Sequence, residues 1–147
     1  MERKEILEKI EQALERNLQE LNHALNDYES ASNLDEGDTT DPEDLSQQTE
    51  YKEMQMRMQV QLDQATSNLI RLRDLAVKDH KQAEAGALLD TDKGWFFLGV
   101  SLASMNVDGS ELLGISSESP AYSAIKGKKA GESFTLGKNN YTIREIY

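Results

Sequence analysis

The sequence predicts an α+β protein in which a long antiparallel helical hairpin, a coiled coil, is followed by a small β-rich domain. Two heptad repeats of apolar residues predict the two helices, and an acidic, non-periodic stretch between them predicts the turn. After residue 85 the pattern changes to short apolar runs separated by turn residues. We therefore expect the hairpin over residues 1–80, with an acidic tip near residues 35–46, and the β domain over residues 86–147.

Both helices are predicted from apolar residues that are spaced alternately three and four positions apart. The first seam consists of Leu7, Ile10, Leu14, Asn17, Leu21, Ala24, Tyr28 and Ala31, with Leu18 and Leu25 widening it. The second seam consists of Met54, Met58, Leu62, Ala65, Leu69, Leu72 and Ala76. Two helices of this length joined by a short turn are expected to fold back on each other, so that the hairpin covers about residues 3–78.

The turn is expected near Asp38, inside a window from Arg16 to Lys52 that contains no other Lys or Arg. The acidic residues of this window's centre are Asp35, Glu36, Asp38, Asp41, Glu43 and Asp44. Asp41 is placed to cap the second helix and Pro42 to open it. An acidic turn of this kind is by itself most simply a solvated loop with good helix caps.

In the β-rich domain we expect strands at residues 86–89, 95–100, 111–115, 134–136 and 141–147. Turn residues at 90–94, 108–109 and 137–140 separate them, and a short helix is expected over residues 120–126. Ser119 is placed to cap that helix and Pro120 to open it. Gly127 and Gly131 suit positions where the backbone turns with a positive φ.

Composition narrows the classes of function. The formal net charge of −11 argues against independent binding to DNA, because binding to a phosphate backbone needs a basic face. The chain has no Cys, which excludes disulfides and thiolate zinc sites. It has no long apolar run, so neither a membrane span nor a signal peptide is expected, and we expect a cytoplasmic protein.

The C-terminal third carries a set of motifs in a fixed order. Residues 115–120 read ISSESP, residues 124–132 read AIKGKKAGE, and residues 143–147 read IREIY. Together these motifs resemble the C-terminal domain of the bacterial Gre transcript-cleavage factors. The resemblance covers about 35 residues and implies a sheet domain of FKBP-like fold.

The resemblance extends to the predicted tip. Residues 44–51, DLSQQTEY, resemble the Gre tip, with Asp44 in place of the family's aspartate and Gln47 where that family has a glutamate. Residues 41–46, DPEDLS, are also similar to the Asp-x-x-Asp-x-Ala tip of the DksA-type polymerase regulators, with Ser46 in place of alanine. The cysteine zinc finger of those regulators cannot form in a chain without Cys.

These resemblances imply a regulator that binds core RNA polymerase and inserts its hairpin into the secondary channel. The tip carboxylates, Asp44 first, then Asp41 and Glu43, would act at the polymerase Mg²⁺, and Asp44 and Asp41 would be metal ligands only in that complex. The docking residues implied in the small domain are Ser119, Pro120, Gly127 and Lys128. The chain would then be a monomer when free, with no catalytic residue and no cofactor of its own beyond the Mg²⁺ shared with polymerase.

Other interpretations remain open at this stage. The hairpin also fits a structural or adaptor coiled coil, and the FKBP-like fold raises the possibility of a prolyl isomerase, although fold alone does not carry activity. We expect His23 and His80 to be surface residues, and Trp95 to belong to a strand or the core. The sequence does not distinguish stimulation of cleavage from regulation of initiation or blocking of the channel, and it reveals no response to a nucleotide alarmone.

Overall fold

A computed structural model describes residues 3–33 and 42–147, with side-chain environments for all of these except residues 30–33, 42–46 and 48. Helix α1 spans Arg3–Asn33 and helix α2 spans Pro42–Leu75. Pro42 opens α2 as predicted, because its fixed φ suits the first helical position and its missing N–H has no partner to lose there. The predicted turn at Asp38 and the predicted cap Asp41 lie outside the described residues.

The chain forms two compact units. Gln12–Leu69 make the first, which we call the helical unit, and Met1–Glu11 with Ile70–Tyr147 make the second, which we call the sheet unit. The predicted domains, residues 1–80 and 86–147, stay a prediction.

In the helical unit, contacts pair the end of α1 with the start of α2. The rings of Tyr28 and Tyr51 lie with their centroids 6.2 Å apart, and Gln55 Nε2 donates a hydrogen bond to Glu29 Oε1 at 3.1 Å. Leu14 and Leu25 of α1 and Ala65 and Leu69 of α2 are buried. The contacts are those expected of two helices that fold back on each other.

Two seam predictions are wrong. Asn17 is exposed, and Leu18 is half-buried in its place. Met54 is 38% exposed, while its neighbour Gln55 is half-buried. A helix with 3.6 residues per turn drifts away from a strict seven-residue repeat, so the buried face moves to the adjacent position.

The sheet unit contains six strands in the order β3-β4-β2-β1-β6-β5. Their bounds are β1 Leu88–Thr91, β2 Gly94–Gly99, β3 Leu102–Val107, β4 Ser110–Ser116, β5 Ser133–Leu136 and β6 Asn139–Ile146, with helix α3 at Pro120–Ile125 between β4 and β5. Strands β2 and β4 are parallel, and every other pairing is antiparallel. The α+β class is confirmed as two long helices and a mixed sheet, whereas an FKBP-like identity stays a prediction.

The sequence prediction missed strand β3 entirely. Asp108 and Gly109 form the two-residue turn from β3 to β4, with φ values of 50° and 85° and Val107 paired to Ser110. Two consecutive positive φ values are the requirement of a type I′ hairpin turn. A second correction concerns Thr91, which was assigned to a turn but pairs with Gly94 as the last residue of β1.

The sheet has a buried layer on each face. One face packs with α3 in a cluster made of Ala83, Ala87, Leu89, Phe96, Leu98, Ile115, Ile125, Phe134 and Ile143. Leu88, Phe97 and Leu112 alternate onto the opposite face and are fully buried as well. Ile6 and Ile10 of α1 are equally buried. Lys9 Nζ donates to Asp108 Oδ1 at 2.5 Å, which links the start of α1 to the turn between β3 and β4.

Candidate functional site

The acidic residues predicted to act at the tip lie at the start of α2. Glu43 and Asp44 are the second and third residues of that helix. Carboxylates are favoured there because the first turn presents unpaired N–H groups and the positive end of the helix dipole. Their side chains, like all of Asp41, lie outside what the structure describes, and their role stays a prediction. Gln47, one turn further on, is exposed.

Charge is divided unequally between the two units. The helical unit contains 13 acidic and three basic residues, whereas the sheet unit contains 14 acidic and 13 basic residues. Ten of the eleven net negative charges therefore belong to Gln12–Leu69. A region with this excess attracts basic surfaces or cations and repels phosphate backbones.

The predicted docking residues lie on α3 and on its two flanks. Ser119 is the N-cap, and its Oγ accepts a hydrogen bond from Ala121 N at 3.3 Å. Pro120 is the first residue of the helix and is exposed. Capping Ser followed by Pro is the local reason for a helix start at this point.

On the other flank of α3, the chain turns at Gly127, whose φ is 82°. The N–H of Gly127 donates to Ala83 O at 2.7 Å, and the N–H of Ala83 donates to Lys128 O at 2.7 Å. Gly127 and Lys128 therefore hold the segment that leads from α2 to the sheet. The four predicted docking residues thus lie on α3 or on its two flanks, while their contact with a partner stays a prediction.

Arg3 has a structural role that the sequence prediction did not identify. Its Nη1 donates to Gly86 O and to Tyr147 O, both at 2.9 Å, and its Nη2 donates to Leu75 O at 3.3 Å. Asp79 lies 3.6 Å from Nε. One guanidinium thus joins the start of α1, the end of α2, the segment before β1 and the end of β6. Burial lowers the pKa of Arg3, and the nearby Asp79 carboxylate opposes that shift.

His80 is buried, and the prediction that it is a surface residue is wrong; His23 is exposed as predicted. His80 Nδ1 lies 2.5 Å from Glu84 Oε1, and its Nε2 is buried without a hydrogen-bond partner. The hydrogen bond with His80 is the main reason that the pKa of Glu84 is lowered. The spacing of four residues places Glu84 within reach of His80. The positive φ of Gly86 lets the backbone turn just after this pair.

A polar and aromatic row crosses β2, β1 and β6. Trp95 lies opposite Asp90, and Asp90 lies opposite Glu145. The Tyr147 hydroxyl donates to Glu145, which raises the pKa of Tyr147 to about 12. Burial raises the pKa of Asp90, and Glu145 raises it further, although Arg144 opposes the shift. Trp95 is half-buried, with its ring centroid 6.1 Å from that of Tyr147.

Two kinds of feature are absent from the described residues. Within residues 3–33 and 42–147, no helix is long and apolar enough to cross a membrane. In the same part of the chain, no three His, Asp or Glu side chains are placed together to hold a metal ion.

The chain is similar to a solved structure, but at low sequence identity. No protein-family model matches the chain, and no curated protein matches it. The chain is similar to the crystal structure of GreA factor homolog 1 of Thermus thermophilus, with a TM-score of 0.35 and 17% identity. The match covers 97% of this chain and 93% of that one. At that identity and score, the likeness does not carry function from that protein to this chain.

Proposed function

We propose that this protein is a transcription regulator that binds core RNA polymerase, inserts its acidic helical pair into the secondary channel and performs no catalysis of its own. The observation that carries the proposal is the division of charge, with ten net negative charges in the helical unit and one in the sheet unit. Such a division fits a protein whose acidic helical unit approaches a catalytic centre rich in cations, while its nearly neutral sheet unit docks elsewhere on the partner.

The motifs that resemble the Gre C-terminal domain support the same proposal. Ser119 caps α3, Gly131 has a φ of 92°, and Ile143 is fully buried in the core between sheet and helix. These three motif residues therefore have structural roles of the kind that the resemblance implies. These roles support a Gre-like domain but do not depend on a partner.

The proposed action at the tip uses carboxylates. Asp44 is the first candidate ligand, followed by Asp41 and then Glu43, because Mg²⁺ prefers hard oxygen ligands. Negative charge beside the polymerase Mg²⁺ would change that centre's electrostatics. Gln47 is neutral where the Gre family has a glutamate, so we expect weak or absent stimulation of cleavage and an effect mainly on initiation.

Docking is proposed for the sheet unit through Ser119, Pro120, Gly127 and Lys128. The test is the affinity of the full chain for core RNA polymerase, measured by fluorescence anisotropy with a labelled protein. Residues 1–78 alone are expected to bind much more weakly, because they lack this surface. Equal affinity of the two would contradict docking, and a full chain that does not bind would contradict the proposed function.

A charge-reversal pair tests docking in the intact chain. Lys128→Glu is expected to weaken polymerase binding, while Lys138→Glu, an exposed lysine on the turn between β5 and β6, serves as the matched control. Both variants change the net charge equally. Equal affinities of the two variants would remove Lys128 from the proposed surface.

An adaptor coiled coil is the second candidate, because α2 exposes apolar residues. Met56 is 70% exposed and Val60 is 58% exposed, one helical turn apart. A coil that associates through these residues would show a mass that rises with concentration in sedimentation equilibrium. The polymerase proposal expects a monomer over the same concentrations.

A further inference from the structure

Asp108 and Gly109 form the one Asp-Gly step of the chain, at the turn between β3 and β4. Both residues are exposed, and a Cβ added to Gly109 would meet no atom within 4 Å. Because Gly has no side chain, its main-chain nitrogen is little hindered towards the carboxyl group of the residue before it. The turn therefore places a carboxyl group and an accessible main-chain nitrogen next to each other at the surface.

The reaction open to this pair rearranges the main chain with water as the only other reagent. The Gly109 nitrogen attacks Cγ of the Asp108 carboxyl group in its acid form, and an N–C bond forms. One carboxyl oxygen leaves as water, with its own proton and the proton of the nitrogen, and a five-membered succinimide ring remains. Water then opens the ring. Opening at the main-chain carbonyl carbon of Asp108 gives isoaspartate, an isomer of the same mass whose main chain runs through Cγ.

In the folded chain, the carboxyl group of Asp108 is held by the start of α1. Lys9 Nζ donates to Asp108 Oδ1 at 2.5 Å, and the two side chains are 43% and 49% exposed. Attack requires Cγ to face the Gly109 nitrogen, whereas the ion pair holds the carboxylate in the side-chain rotamer that faces Lys9. The ion pair therefore opposes the reaction, and its partial exposure makes the effect modest.

The attacking nitrogen is held as well. The N–H of Gly109 donates to Asn106 Oδ1 at 2.9 Å, so the proton that must leave is bound to a side chain of β3. The main chain on both sides is fixed by the type I′ turn, across which Val107 pairs with Ser110. The hydrogen bond to Asn106 must break before the nitrogen can attack Cγ. The fold thus restrains both reacting groups.

We propose that Asp108 is a site of isoaspartate formation and that Lys9 and Asn106 protect it in the folded chain. Isoaspartate adds one carbon to the main chain, which a two-residue type I′ turn does not accommodate. The pairing of Val107 with Ser110 and the bond to Lys9 would be lost, and with them the link from α1 to this turn. The proposal does not rest on polymerase binding, so each proposal can fail without the other.

The test is incubation of the full chain at physiological temperature and neutral pH. Isoaspartate at residue 108 is measured over time by mass spectrometry with electron-transfer fragmentation, which distinguishes the two isomers. A synthetic peptide of residues 105–112 is the unprotected reference. We expect Lys9→Met to raise the rate in the full chain about threefold, the change that an exposed ion pair can account for. Asn106→Ala should raise it about threefold as well, because one hydrogen bond is lost. The wild-type chain should react about tenfold more slowly than the peptide, in which both restraints are absent.

Two control variants separate protection by Lys9 from a general effect of mutation. Lys4→Met removes an exposed lysine from the first turn of α1 and should react at the wild-type rate. Lys9→Arg keeps a cation opposite Asp108 and should also stay close to the wild-type rate. Urea unfolding midpoints close to wild type would show that the variants are folded during the incubation.

Four results would overturn the proposal. Absence of isoaspartate from both the peptide and the chain would remove the site. Equal rates in the peptide and the wild-type chain would remove protection by the fold. Equal rates in Lys9→Met and Lys4→Met would remove Lys9 from that protection, and a wild-type rate in Asn106→Ala would remove Asn106.

Discussion

Replacing Arg3 by Met should destabilise the sheet unit, because one guanidinium bonds three main-chain oxygens from different segments. Met retains much of the length of the side chain but cannot donate to Gly86 O, Tyr147 O or Leu75 O. Lys4→Met is the matched control, since Lys4 is the next residue of α1 and is exposed. The two variants lose the same formal charge.

The magnitude follows from the bonds. The two bonds of 2.9 Å involve a charged donor, and each such bond contributes about 1.5 kcal/mol at the low end of the usual range. The bond of 3.3 Å is weaker, and relief of the buried charge offsets part of the loss. We therefore expect Arg3→Met to lower the free energy of unfolding by about 3 kcal/mol. We expect about 0.5 kcal/mol or less for Lys4→Met, a surface change.

The assay is urea unfolding followed by the fluorescence of Trp95, the single Trp of the chain. Trp95 lies on β2 beside Tyr147, so it reports on the unit that Arg3 joins together. With a slope of about 2 kcal/mol per M, the midpoint of Arg3→Met should fall by about 1.5 M. A loss below about 1 kcal/mol, or an equal loss in Lys4→Met, would refute the stabilising role of these bonds.

Three further results are expected. Asp90→Asn should stabilise the protein at neutral pH. Because the pKa of Asp90 is raised in the folded state, the folded state loses stability as pH rises through the carboxyl range. A wild-type protein more stable than the variant at pH 7 would contradict this. In an ultraviolet titration, Tyr147 should ionise near pH 12, and Glu145→Gln should return its pKa toward about 10. The stability that the bond between Tyr147 and Glu145 contributes is therefore present below about pH 10 and is lost as pH rises toward 12. An unchanged titration in Glu145→Gln would remove that bond as the cause. Gly109→Ala should cost about 1 kcal/mol in urea unfolding, because φ is 85° and no neighbouring atom obstructs a Cβ; no cost would argue against the type I′ turn.

Periodicity predicted the long elements because it depends only on local spacing. The bounds of α1 and α2 follow the apolar repeats, and the start of α2 follows from Pro42. The errors at Asn17 and Met54 arise because a strict seven-residue repeat does not match the helix pitch. Which of two adjacent positions is buried depends on the facing helix, and no sequence window contains that information.

Strand β3 was missed because its side chains do not alternate cleanly. Leu102 and Val107 are buried, but the residues between them are mostly exposed, and the register with β4 shifts between Leu102 and Met105. The turn at Asp108 and Gly109 was recognised, and a turn of this type requires a strand on each side. That requirement is the signal that would have found β3.

The contacts of Arg3 and His80 were beyond prediction for a different reason. Arg3 bonds groups at residues 75, 86 and 147, and His80 is buried by segments that meet only after folding. A sequence pattern predicts that charged and imidazole side chains in polar segments lie at the surface. Here their partners are main-chain oxygens and a local carboxylate, which the pattern does not show. Such contacts follow from tertiary structure and leave no periodic trace.

The central claim concerns the acidic start of α2, and it is tested most directly by transcription with the protein's own RNA polymerase. The measurement is the yield of promoter-initiated transcripts with saturating wild-type protein or with the double variant Asp41→Asn, Asp44→Asn. Asn nearly preserves the shape of Asp but carries no charge, so the variant should still bind polymerase while its effect on transcription is largely lost. A variant with the full wild-type effect would contradict the account, and the acidic residues would then be helix caps in a solvated turn.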